Sequence, residues 1–185
     1  VETPVLQHLA GGATARPFRT HHEALDLDLF LRVSPELALK RLMIGGFEKV
    51  FEIARVFRNE GIDRQHNPEF TLCEFYQAYA TVEDLIPLTE KLISTLVRTA
   101  RGALTISYQG QTLNFTPPWP RVSFVEAVQK ATGVNVLEAR EPAPYLQALR
   151  TLHVQPPEDQ SLPNLLDELF TEAVRKKTAG PLFVS

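Results

Sequence analysis

Two strand-like runs enclosing a charged connection too long for a tight turn constrain this chain more than any other feature. From Val50 to Arg58, alternation puts Phe51, Ile53 and Phe57 on one face and Glu52, Ala54 and Arg58 on the other, with Arg55 interrupting the apolar side. From Phe70 to Tyr79, Leu72, Glu74, Tyr76 and Ala78 share a side opposite Cys73, Phe75 and Gln77. A period of two does not fit a helix, so an antiparallel pair is expected, with polar groups at selected places on one side. The connection runs to about eleven residues, whereas hairpin loops commonly take 2–5. It carries Glu60, Arg64 and His66, and long charged loops of this kind are commonly functional.

Around this hairpin the text alternates in kind. Val1 to Leu31 is turn-rich, and AGGATARPF offers adjacent glycines where backbone can approach a ligand closely. SPELALKRLMIGG predicts a helix with Ser34 as N-cap, Pro35 at its first position, Glu36 in its first turn and Gly45 or Gly46 at its end. TVEDLIPLTEKLISTLVRTA predicts a long helix capped by Thr81, bent or delayed by Pro87. ALTISYQGQTLNF predicts a hairpin about Gln109 and Gly110. Helices are expected around 124–131, 145–152 and 165–177, between proline-bearing loops. Strands linked by hairpins rather than by helical crossovers predict an α+β fold with an antiparallel sheet. No repeat and no linker long enough to separate a second domain is visible, so residues 1–185 read as one domain.

The 185 residues, 44% of them hydrophobic, suffice for a core. The net charge of −3 gives no global basic signal, so any nucleic acid must meet a local patch or regions outside this stretch. The single cysteine, Cys73, excludes an internal disulfide and suits a reducing, cytoplasmic compartment; on the apolar side of its strand it reads as a packing residue. No apolar run nears the roughly eighteen residues of a membrane span, so no membrane partner is expected. The chain opens on VETPVL without methionine and closes inside PLFVS, which reads as a piece truncated at both ends.

A hairpin with a long basic loop can fold cations over a ligand lying on the sheet. Arg58, at a strand end, suits phosphate or carboxylate because its planar fork donates two parallel hydrogen bonds. His66 can reach a more distant phosphate, and Phe70 can stack on a flat base. That is a nucleotide site without a glycine-rich phosphate loop, since neither GxxxxGK[ST] nor GxGxxG occurs. Glu74 and Tyr76 fall on the same side as Arg58, and with Glu36 they supply the acceptors that an ammonium ligand requires. Taken singly, each residue also has a plain structural role. Glu36 complements a helix dipole, His66 is solvated, Phe70 and Tyr76 are core aromatics, and Glu60 with Arg64 forms a weak loop ion pair.

Taken together, FRNEGIDRQHNPEFTLCEFYQAYA resembles the second signature motif of class II aminoacyl-tRNA synthetases, in the form of the lysine-specific, bacterial-type members. VETPVL resembles the end of the first motif, GGATARPF the glycine loop of the lysine-specific members, and LRVSPELALKRLMIGGFEKVFEI their following helix and strand. The resemblance is dense from Val1 to about Leu85 and thinner beyond, where NLLDELFTEAV and GPLFVS fit the same family. It implies a catalytic core of one antiparallel sheet flanked by helices, with residues 117–180 as a mostly helical insert.

Residue by residue, the resemblance implies that Arg58 is the catalytic residue, bridging the α-phosphate of ATP and the amino acid's carboxylate. Glu60 would lie near the adenine, His66 at the terminal phosphates and Phe70 against the base, with Asn59 and Asn67 flanking them. Gly12, through its carbonyl, and Glu36 would receive lysine's α-ammonium, and Glu74 and Tyr76 its ε-ammonium. The implied reaction is ATP-dependent formation of lysyl-adenylate and transfer to tRNA(Lys), by a homodimer in the intact protein. Magnesium accompanies ATP, with its ligands expected in a third motif that is not present, so no metal ligand is assigned here and the isolated stretch is expected to be inactive. Two alternatives stand beside this: a paralogue that attaches lysine to a protein, whose members usually lack GGATARPF, and a non-catalytic synthetase-like binding module.

Overall fold

The turn-rich opening of the chain proves to contain three short strands: β1 (Leu6–Gln7), β2 (Arg19–His22) and β3 (Leu27–Leu31). They form an antiparallel sheet in the order β1-β3-β2, with Leu6 opposite Leu31 and Arg19 opposite Phe30. All four residues of β2 are exposed, so it offers no apolar alternation by which it could be recognised. The computed structural model describes residues 1–62 and 66–185, in two compact units, Val1–Thr81 and Val82–Ser185. The ion pair of Glu60 with Arg64 read from the sequence lies outside the described residues.

In the first unit, helix α1 (Glu36–Ile44) starts one residue later than SPELALKRLMIGG predicts, with Pro35 at the cap position. Ser34 still performs a capping function, since its Oγ accepts the Glu36 N–H at 3.0 Å. The helix closes on Gly45 and on Gly46, whose φ of +101° is open only to a residue without Cβ strain. Strands β4 (Lys49–Phe57) and β5 (Glu69–Gln77) then pair antiparallel along their whole length, from Lys49 opposite Gln77 to Phe57 opposite Glu69. Helix α1 packs on both.

The two faces of β4 divide as alternation predicts, but the core takes the other one. Val50, Glu52, Ala54 and Val56 are buried, while Phe51 and Ile53 are 58% and 69% exposed. Cys73, opposite Ile53, is exposed as well, against its reading as a packing residue. The inner face can accept a carboxylate because Arg32, at the end of β3, neutralises Glu52 within it.

The second unit begins with α2 (Val82–Arg101), which runs through Pro87 rather than starting after it. The predicted hairpin follows as β6 (Thr105–Tyr108) and β7 (Gln111–Asn114), with Gln109 and Gly110 both at positive φ, as a two-residue connection of this kind demands. Helices α3 (Phe124–Thr132), α4 (Pro142–Thr151) and α5 (Leu162–Ala173) enclose a core of Val128, Val134, Tyr145, Leu149, Leu165 and Leu169. A parallel pair, β8 (Arg121–Val122) with β9 (Phe183–Val184), closes this unit. No helix among the described residues is long and apolar enough to cross a membrane.

Candidate functional site

The register of β4 on β5 settles which side chains share a side. Val56 faces Phe70, Ala54 faces Leu72, Glu52 faces Glu74 and Val50 faces Tyr76, so Phe70, Glu74 and Tyr76 project from the face that also carries Glu52. Arg58 extends that side beyond the last rung, its N–H donating to the Pro68 carbonyl at 2.8 Å.

At this end the guanidinium of Arg58 lies 5.2 Å from the centre of the Phe70 ring, and its Nε points to the Val33 carbonyl at 3.4 Å. Arg58, Glu60, Gly61, His66, Asn67 and Phe70 line one cavity of about 300 Å³. Arg16, from the glycine-bearing loop, is joined to the same segment through its backbone. Its carbonyl accepts the Asn59 N–H at 2.7 Å, and its own N–H donates to Glu60 Oε1 at 3.4 Å. A cavity lined by a guanidinium, an imidazole, a carboxylate, an amide and an aromatic ring suits a phosphorylated ligand with a flat ring, with Arg58 meeting the phosphate.

Toward the middle of the hairpin the chemistry reverses sign. Tyr76 donates its hydroxyl to Glu74 Oε1 at 2.7 Å, and Ser34 donates to Glu74 Oε2 at 2.8 Å. Burial first, then the Glu74 hydrogen bond and the charges of Glu74 and Glu36, push the Tyr76 phenol well above its ordinary value, so it stays protonated. Glu36 is paired with Lys40 one turn along α1, and the Lys40 ammonium stands 5.9 Å from the centre of the Tyr76 ring. Gly12, at φ +92°, lies so near that a Cβ there would come within 2.9 Å of Glu36 Cβ and 3.1 Å of Ser34 Oγ. This cluster, with two carboxylates and a phenolic oxygen, suits an ammonium ligand.

The two halves meet at consecutive residues, because the Val33 carbonyl faces Arg58 while the Ser34 hydroxyl faces Glu74. A buried network fixes that segment. Arg32, 3% exposed, donates to Glu52 Oε1 at 2.8 Å, to Thr3 O and Oγ1 at 3.0 Å each, and to the Arg55 carbonyl at 2.9 Å. Thr3 in turn donates its hydroxyl and N–H to Glu52 at 2.6 and 3.2 Å. Burial pushes the Glu52 carboxyl up, but the hydrogen bonds from Thr3 and Arg32 and the Arg32 charge outweigh it and leave the group below the usual carboxylate range.

Of the residues singled out in the sequence, Arg58, Glu60, His66, Asn67 and Phe70 therefore line one cavity, Asn59 is anchored beside it through its backbone, and Gly12, Glu36, Glu74 and Tyr76 gather in the acidic cluster. Sequence reasoning missed Arg32, Glu52 and Thr3, and saw Ser34 only as a cap. The available signal was Glu52 itself, a carboxylate inside an apolar strand that must have a buried partner.

A family model described as tRNA synthetases class II (D, K and N) matches residues 1–184. Among curated proteins, the lysine-tRNA ligase of Roseiflexus sp. (strain RS-1) is 48% identical over 184 residues, covering 100% of this chain and 38% of that protein. That of Carboxydothermus hydrogenoformans is 46% identical over 184 residues, with the same two coverages. That of Prochlorococcus marinus (strain MIT 9313) is 49% identical over 185 residues, covering 100% of this chain and 36% of that protein. The chain thus spans well under half the length of these curated relatives.

Proposed function

The chain belongs to the class II tRNA synthetases of the D, K and N group, and on that premise we propose that it carries the amino acid and ATP sites of a lysine-tRNA ligase. The observation that supports lysine is the acidic cluster of Glu36, Glu74 and protonated Tyr76 directly beside a cavity carrying Arg58. A ligand with two ammonium groups, lying next to a polyphosphate, matches that change of sign.

In this reading the α-ammonium of lysine lies between Glu36 and the Gly12 carbonyl, and the ε-ammonium between Glu74 and the Tyr76 oxygen. Tyr76 gives its only proton to Glu74, so its oxygen faces the ε-ammonium as an acceptor. Arg58 draws the lysine carboxylate and the α-phosphate of ATP to one point. A carboxylate oxygen attacks the α-phosphorus in line, pyrophosphate leaves, and lysyl-adenylate remains. The terminal ribose hydroxyl of tRNA(Lys) then attacks the lysyl carbonyl and releases AMP. Neither step uses a protein nucleophile; positioning and the Arg58 charge carry both. Phe70 lies against the adenine with Glu60 near it, His66 reaches the terminal phosphates, and Asn59 and Asn67 flank them.

Magnesium, which accompanies ATP, finds no group of three or more carboxylate, imidazole or thiolate side chains among the described residues, so no step is routed through it. An α+β core whose antiparallel strands are flanked by helices, a homodimer and a cytoplasmic location belong to the same proposal.

The test is amino-acid-dependent exchange of pyrophosphate into ATP by the full-length protein, with each of the twenty amino acids. Exchange supported by lysine alone is expected; exchange supported by aspartate or asparagine would overturn the reading of the acidic cluster. Calorimetric titration of this stretch of chain with a non-hydrolysable lysyl-adenylate analogue, against the leucyl analogue, then asks whether the half-site reads lysine unaided.

A further inference from the structure

Three of the four residues assigned to lysine, Gly12, Glu36 and Glu74, share a neighbour that has no assigned role in recognition. Ser34 is 2% exposed, and its hydroxyl stands among them. It donates to Glu74 Oε2 at 2.8 Å, accepts the Glu36 N–H at 3.0 Å, and lies 3.1 Å from where a Cβ on Gly12 would be. We propose that Ser34 is a positioning residue for lysine affinity, fixing through its one proton which lone pairs of Glu74 face the ε-ammonium. This rests on the reading of the acidic cluster as the lysine site.

A hydroxyl has one proton and two lone pairs. Because the Glu36 amide N–H takes a lone pair, the Ser34 proton has a defined direction, and Glu74 lies along it. Tyr76 donates to the other oxygen of the same carboxylate at 2.7 Å. Each Glu74 oxygen thus accepts one hydroxyl, and about half of the roughly four acceptor positions of a carboxylate remain for an ammonium. With both oxygens tied, the carboxylate plane cannot rotate without breaking a hydrogen bond to a charged group. Charges facing this carboxylate from neighbouring elements are Glu36 and Lys40 on α1, paired with each other, and Glu52 across the hairpin, paired with Arg32. The hydroxyls of Ser34 and Tyr76 supply the two protons that the Glu74 carboxylate accepts.

The competing account is that Ser34 only caps α1. The two are separated by which constant moves. In the full-length protein, Ser34→Ala is expected to raise the KM for lysine about tenfold, the scale of one hydrogen bond to a charged group, with the KM for ATP unchanged. Ser34→Cys keeps the branching of the side chain with a somewhat larger atom and supplies only a weak donor. It carries the test if Ser34→Ala does not fold, and it too should raise the lysine KM alone. An unchanged lysine KM in the folded variant, or equal rises for lysine and ATP, would overturn the positioning role and leave a cap. If the unaltered protein shows no lysine-dependent exchange, the lysine reading fails first, and that is distinguishable because it needs no variant.

Discussion

Removing Arg32 tests whether the buried network, rather than the apolar face of the hairpin, holds the first unit in register. Arg32→Met withdraws the donors that now reach Glu52, both oxygens of Thr3 and the Arg55 carbonyl, and leaves a 2% exposed carboxylate with hydrogen bonds from Thr3. Breaking a buried pair from one side costs about 3–5 kcal/mol, a large fraction of the roughly 5–15 kcal/mol by which domains are stable. Glu52→Gln should cost less, about 2 kcal/mol, because Arg32 keeps the Thr3 and Arg55 oxygens and gains an amide oxygen. The double variant Arg32→Met with Glu52→Leu should recover most of the loss, to about 1 kcal/mol, since no charge is then buried.

The pH dependence gives an independent sign. Glu52 lies below its ordinary 4.5 when folded, so its contribution is present above that value and is lost as pH falls through the folded pKa. In Arg32→Met the hydrogen bond and charge of Arg32 are gone and burial dominates, so the folded pKa rises and acid should stabilise the variant relative to neutral pH. Native-state hydrogen exchange at the Phe57 amide, which donates to the Arg32 carbonyl at 2.9 Å, reads this unit directly. A loss below about 1 kcal/mol in Arg32→Met, or an acid slope the same as in the unaltered protein, would refute the argument.

Arg58→Ala should slow lysine-dependent pyrophosphate exchange in the full-length protein by two or more orders of magnitude, about 3 kcal/mol or more; a rate within a few fold would remove Arg58 from the reaction. Gly12→Ala must place a Cβ 2.9 Å from Glu36 at a φ of +92°, so stability should fall by about 1–3 kcal/mol and calorimetric binding of the lysyl-adenylate analogue should be lost. Normal binding by that variant would mean that Gly12 does not belong to the ammonium site. In the second unit, Leu149→Ala empties a fully buried position and should cost about 2–5 kcal/mol in urea unfolding followed by Trp119 fluorescence; a change under 1 kcal/mol would contradict the core described for α3, α4 and α5.

Which features of this molecule could be read from the sequence follows from how far each residue's partner lies along the chain. The hairpin at Gln109 and Gly110, the helix after Ser34 and the long pair β4 with β5 are set by periods and turn residues within a short window, and they appear as expected. Strand β2 could not be read, because RTHH is exposed throughout and becomes a strand only through its ladder with β3. Alternation makes Phe51, Ile53 and Phe57 the apolar side of β4. Phe51 and Ile53 outweigh Val50, Ala54 and Val56 in apolar area, yet they face outward.

The site divides along the same line. Arg58, Glu74 and Tyr76 declare their chemistry where they stand, because a guanidinium at a strand end and a carboxylate two residues from a phenol are informative without a partner. Arg32 and Ser34 act only through groups elsewhere in the chain, on Glu52 and Glu74, and their immediate neighbours suggest a strand end and a helix cap. Both meanings hold at once for Ser34, whose hydroxyl accepts from its own helix and donates across to the strand. A buried carboxylate on an apolar strand is therefore the useful pointer. Glu52 requires a cation that the buried face of β4 does not provide, since Lys49 and Arg55 lie on its exposed face. The residue that answers it, Arg32, is followed directly by the two residues, Val33 and Ser34, at which the cationic and acidic halves of the site meet.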